Sequence, residues 1–197
     1  MVRTSFVVSM SALALAGCVS VGGGDFVMTN GVPGRGFSAM VTAGNNSATG
    51  SISVAPSADR TVLYFANGAN WAGTVVGNEH VALTNALDAA APATVAFGAL
   101  ELTGKMPIRV WPTGASDRIN LGGAISGTGC LAPVNAGNAR VAAGTVFTLG
   151  TYPASLPLPD NSLLKKGWEF SSVAAGEQGK VLLQLTYVPS GLSVIIR

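Results

Sequence analysis

Short runs rich in Val, Thr, Ile, Leu and aromatic residues alternate with turn clusters along the whole chain, and this rhythm confines the protein to an all-β class. The 26 glycines and 10 prolines are spread throughout rather than gathered into one linker, so no run is long enough for a helical layer. Twelve strands are predicted. Among them are Thr61–Ala66, Gly73–Val76, Thr94–Thr103, Ile108–Trp111, Ile119–Ile125, Arg140–Leu149, Trp168–Val173, Lys180–Val188 and Leu192–Ile196. Period-two alternation assigns faces in several of them. Arg109 points away from Ile108 and Val110, and Val181, Leu183, Leu185 and Tyr187 share one face. Asn85–Ala91 and Asp160–Lys166 are each long enough for a turn or two of helix, the second capped by Asp160 or Asn161 and ended by Gly167.

Many short strands in one body suggest two packed sheets. The expected fold is an antiparallel β-sandwich, jelly-roll or Greek-key like, with an extended N-terminal arm. The Gly-rich stretch Val21–Gly24 marks the only clear boundary, which gives an arm of residues 1–24 and a single domain of residues 25–197. No internal repeat of solenoid or propeller period is read from the sequence. Tyr152–Pro159 carries three prolines and is expected to run extended and irregular.

Charge is scarce. Hydrophobic residues make up 48% of the chain and charged residues 10%, against about 25% charged in an ordinary soluble domain. The deficit implies surface hidden against copies of the chain or other subunits. Net charge is +2, and the only adjacent cations are Lys165 and Lys166. That argues against an electrostatic nucleic-acid footprint.

The search for chemistry finds little. His80 is the only histidine, and Cys18 and Cys130 are the only cysteines. A zinc site needs three or four clustered ligands, so no metal or cofactor is expected. There is no G-x-S-x-G elbow and no phosphate-binding loop, and Gly122–Gly129 reads as β-turns. The chain is therefore expected to be non-enzymatic, with no catalytic residues. Cys18 and Cys130 are read as two small unpaired thiols. Asp59–Arg60 and Asp117–Arg118 read as structural ion pairs at loop ends. Trp71, Trp111 and Trp168 all fall near strand ends and are the candidate interface anchors, with core packing as the alternative.

Residues 1–18 have two readings. In one they form a small-residue apolar arm that lies across a neighbouring subunit. In the other, Arg3 followed by the uncharged run Ser5–Gly17 has the layout of a secretory signal. Leu15-Ala16-Gly17-Cys18 then resembles a bacterial lipobox. That resemblance implies removal of residues 1–17, lipid on Cys18, and a tether through Ser20 and Gly22–Gly24.

Low charge, Ala/Gly/Val/Thr-rich strands and missing catalytic groups together resemble the texture of bacteriophage capsid-associated β proteins. The resemblance implies a decoration (cement) or minor coat protein on the capsid exterior. Its partners would be the major capsid protein and further copies of itself, with no nucleic acid and no membrane. The alternatives are a bacterial surface lipoprotein anchored through Cys18, which does touch a membrane, and a spike or fibre module that binds a receptor.

Overall fold

A computed structural model describes residues 6–9, 25–29, 38–42, 49–55, 61–85 and 87–189. All of its regular structure is β apart from one 3-10 turn, Asn161–Leu163. The strands are mostly parallel and stack as the coils of a β-solenoid. The expected antiparallel sandwich, jelly roll or Greek key is therefore incorrect, and so is the absence of a solenoid period.

The longest sheet runs in the order β1 (Phe6–Ser9), β2 (Phe26–Thr29), β4 (Ile52–Val54), β6 (Asn70–Gly77), β8 (Thr94–Leu102) and β10 (Arg118–Leu121). β11 (Ile125–Gly127) also pairs with β8, and every pairing in this sheet is parallel. A second parallel sheet joins β3 (Ser38–Val41), β5 (Val62–Ala66) and β7 (Val81–Thr84). Beside β7, β9 (Lys105–Val110) pairs in parallel with β12 (Cys130–Asn135).

Paired positions Phe26, Ile52, Val75, Leu100 and Ile125 are 26, 23, 25 and 25 residues apart. On the neighbouring wall, Leu63 and Val81 are separated by only 18 residues, whereas Lys105 and Cys130 are separated by 25. One coil therefore takes about two dozen residues and advances the stack by one strand spacing, about 4.8 Å.

The long sheet bends. β8 pairs with β10 along Thr94–Phe97 and with β11 along Leu100–Leu102, and Gly98 sits between the two stretches. Its register with β6 shifts at the same level, between Trp71 and Thr74. Each coil thus has three walls, two from the bent sheet and one from β5, β7, β9 and β12.

Alternation sets what faces inward. Val95, Phe97, Leu100 and Leu102 of β8 are buried, as are Met106, Ile108 and Val110 of β9. Phe65 and Phe97, from different walls, meet edge to face with ring centroids 4.8 Å apart. Outward residues such as Val62, Tyr64, Ala82, Ala96 and Asn120 are half-buried, because the next coil covers their flanks. A solenoid needs fewer surface charges for this reason, and the stack itself accounts for part of the deficit.

The last coil is closed by the one antiparallel element. β13 (Val146–Pro153), β15 (Lys180–Tyr187) and β14 (Trp168–Ala174) form a sheet in the order β13-β15-β14. β13 lies along the outer edge of β10, which would otherwise present a row of free backbone groups. Side chains link the two edges. Ser116 Oγ donates to the Thr148 carbonyl (2.8 Å), Thr151 N–H donates to Asn120 Oδ1 (3.0 Å), and Lys180 Nζ donates to the Leu121 carbonyl (3.1 Å). Phe147, Leu149, Leu183 and Leu185 seal the interior.

The predicted alternation in Val181–Tyr187 holds, with Leu183 and Leu185 buried. Of the two predicted helical turns, the stretch 160–166 makes the 3-10 turn, capped by Asp160 as expected, and no helix forms at 85–91 among the described residues. The predicted strand Ile119–Ile125 is two strands broken at Gly122-Gly123, and Leu192–Ile196 lies outside the described residues. β12 was not predicted, and the proline at its centre, Pro133, is the reason. β1 lies within the segment read as an arm and pairs in parallel with β2.

Candidate functional site

Two polar constellations stand out, one inside the stack and one on its surface. The inner one centres on Asp117, which is 1% exposed and sits just before β10. Its Oδ1 accepts from Ala93 N–H (2.8 Å) and an Arg109 terminal nitrogen (2.9 Å). Its Oδ2 accepts from Arg109 Nε (2.8 Å) and Arg109 N–H (3.2 Å). The guanidinium also donates to the Ala89 and Ala91 carbonyls and lies 5.2 Å from the Trp111 ring centroid. Asp117 therefore pairs with Arg109 rather than with its sequence neighbour Arg118. Every donor it accepts belongs to a corner between two coils, so the group pins that corner. Both carboxylate oxygens of Asp117 are held by two donors each within this corner.

A second corner is built from residues 25 positions apart. Asn78 is buried, and its Nδ2 donates to the Val54 carbonyl of the preceding coil (3.0 Å). Its Oδ1 accepts the His80 N–H (2.9 Å). His80 Nδ1 lies 2.9 Å from the Thr61 carbonyl, which only accepts, so that nitrogen carries the proton. His80 is thus a structural imidazole. One layer on, Thr103 and Gly104 N–H both donate to the Gly77 carbonyl. One layer further, Thr128 and Gly129 N–H donate to the Leu102 carbonyl. These turns carry their side chains outward.

Below them the 3-10 turn adds a last rung. Lys165 N–H donates to the Leu131 carbonyl, and Leu131 bridges in parallel to Leu164. Asp160 caps this turn by accepting Ser162 N–H (2.7 Å), and that bond, with the Ser162 side chain adding to it, holds the Asp160 carboxyl below its usual range. Asn161 Oδ1 accepts Phe170 N–H, which ties the turn to the cap sheet.

Between these rungs lies a shallow, open cleft of about 520 Å³. Lys105 projects from one layer, and Lys165 and Lys166 from the layer two strands away. Thr103, Thr128, Cys130 and Ser162 line the same cleft. Three of the four lysines in the described residues line it too, and none of the three forms an ion pair with another described residue. Glu79 Oε2 stands beside Gly104, one of the lining residues.

The tryptophans divide. Trp71 is 2% exposed inside the solenoid, with its Nε1–H donating to the Gly50 carbonyl (3.0 Å). Trp168 is buried in the cap between Phe147 and Tyr187, with centroids 5.6 and 5.0 Å away. Only Trp111, beneath Arg109, keeps part of its ring accessible. Cys130 is a free, half-buried thiol, and Cys18 lies outside the described residues. Among the described residues no group of three His, Cys, Asp or Glu is placed to hold a metal ion.

Sequence reasoning singled out Lys165 and Lys166 as a pair but not Lys105, which lies 60 residues before Lys165. The usable signal was the 25-residue echo of Thr103-Gly104 in Thr128-Gly129. No protein-family model, no curated protein and no solved structure matches the chain.

Proposed function

We propose that the chain is a non-enzymatic structural rod, anchored to a bacterial membrane through lipid on Cys18 and projecting its capped end outward. The observation that carries this reading is a ladder whose strands from β2 onward pair with one another without need of the strand before them. β2 starts at Phe26, eight residues after Cys18, and the intervening segment holds Gly22–Gly24. From β2 onward each strand of the long sheet has its parallel neighbour, and the far end is sealed by β13–β15. β1 adds one strand beyond β2 and nothing to the ladder that follows. Loss of residues 1–17 therefore leaves β2 through β15 with their mutual pairings intact. A stack of coils in which each layer touches only its neighbours is a natural spacer, since adding or losing a terminal layer leaves the rest standing.

The capsid-decoration reading drew on low charge, strand composition and missing catalytic groups, none of which names a partner. The lipobox reading adds a specific motif, Leu15-Ala16-Gly17-Cys18. A single acyl chain holds weakly, and stable attachment takes more than one.

Mass spectrometry of the natural protein tests the reading. The expected result is a chain that begins at acylated Cys18. In parallel, Cys18→Ala shifts the protein from the membrane fraction to unprocessed or soluble material. An intact start at Met1 or Val2 contradicts it.

A further inference from the structure

We propose that the lysine-lined cleft at the lower corner of the solenoid binds a linear acidic polysaccharide. The inference concerns the side of the rod and does not depend on how the N-terminus is held.

The first support is charge placement. In a chain with 11 cations in all, Lys105, Lys165 and Lys166 converge on one surface. A lysine with no carboxylate partner gains from an external anion without first losing an internal one. The second is spacing. Lys105 aligns with Cys130, and Lys165 follows the residue that bridges to Leu131, so the cations lie on rungs two strand spacings apart, about 10 Å. A chain that carries one anion per sugar can meet cations on separate rungs at the same time along its length.

The third is chemistry. Lysine is a compact, strongly hydrated charge, and among the described residues no arginine lines the cleft for the bidentate grip that favours phosphate. Thr103, Thr128 and Ser162, which also line it, carry hydroxyls suited to sugar hydroxyls and ring oxygens. The fourth is what the lining lacks. Among the described residues no aromatic ring lines the cleft, so neither stacked bases nor the apolar face of a neutral sugar finds a platform there. The cleft is also too open to enclose a small molecule, which suits a ligand that passes across it.

Titration calorimetry on the natural protein, with its N-terminus as the cell leaves it, tests this. The probes are polygalacturonate, dextran sulfate and neutral dextran. Binding to polygalacturonate or dextran sulfate is expected, and the pair separates a carboxylated from a sulfated ligand. Neutral dextran should not bind. Affinity should fall as salt rises, and the triple variant Lys105→Ala, Lys165→Ala, Lys166→Ala should lose at least about tenfold.

All three lysines are exposed, so the variant should keep the parent's melting temperature. Bound polymer should also slow alkylation of Cys130, read by peptide mapping, which localises the ligand to the cleft independently of the substitutions. Three results overturn the proposal: no binding to either acidic polymer, wild-type affinity in the triple variant, or tighter lysine-dependent binding to duplex DNA or phosphatidylglycerol vesicles.

Discussion

Asp117→Ala is expected to destabilise the protein by about 3–5 kcal/mol, the usual cost of removing one partner from a buried ion pair. The carboxylate is 1% exposed and the Arg109 side chain 22% exposed, so water cannot replace the lost acceptor without opening the corner. The substitution also strands the Ala93 and Arg109 backbone N–H groups, each of which adds its own desolvation cost. For a chain of this size the melting temperature should drop by roughly 6–20 °C. Asp117→Asn should recover only part of the loss. An amide keeps one acceptor oxygen but turns an N–H towards donors that need an acceptor. Arg118→Ala, on the neighbouring exposed residue, should change little. Thermal melts of the three variants separate these outcomes. A wild-type melt for Asp117→Ala would show that the corner is held by something else.

The second large effect is expected at Gly98. The walls of adjacent coils meet here along a column of small residues, and a Cβ on Gly98 would overlap the Ala72 carbonyl oxygen and lie 2.7 Å from the Gly73 carbonyl oxygen. Gly73 in turn faces the Gly50 carbonyl, and Gly123 faces that of Gly98, so the same tight approach repeats from coil to coil. The obstructing atoms are backbone, held by strands on both sides, and cannot swing aside. Gly98→Ala should therefore cost about 3 kcal/mol, the upper end of ordinary overpacking. Gly176→Ala is the control. Its φ of 74° disfavours a side chain, but nothing lies within 4 Å of the added carbon. It should cost only about 1–2 kcal/mol. Denaturant unfolding distinguishes the two, and equal losses would argue against the close approach.

The sequence made local structure legible and long-range pairing illegible. Burial of Ile108 and Val110 with Arg109 turned outward follows from alternation alone, as does the inward face of Leu183 and Leu185. Parallel stacking does not follow, because short strands separated by turns serve a sandwich and a solenoid equally well. What distinguishes them is a recurrence at a fixed step, carried here by a few glycines and threonines. Gly73, Gly98 and Gly123 recur at 25-residue steps, yet the coil shortens to 18 between Leu63 and Val81, and the period blurs.

Asn70 and Trp71 fall in a turn-rich stretch, where Trp71 reads either as a plug of the core or as an interface anchor. The structure makes them the start of β6, with Trp71 in the core. Pro133 hid β12 because proline removes a ladder donor, a loss tolerated here because β12 pairs with only one neighbouring strand, β9. The lysine cleft was half visible. Lys165 and Lys166 adjoin in sequence, but only the stacking of rungs brings Lys105 to them.

The parallel register is the claim on which the rest stands, and a designed cross-link tests it most directly. Glu101 and Ser126 are aligned on adjacent parallel strands, and both face outward. Their Cα atoms are one strand spacing apart, about 4.8 Å, which is within the span of a disulfide. With Cys18 and Cys130 replaced by Ser, the double variant Glu101→Cys, Ser126→Cys should close an intramolecular disulfide under mild oxidation and leave no free thiol. Two thiols that stay reactive, or that link only between molecules, would contradict the solenoid.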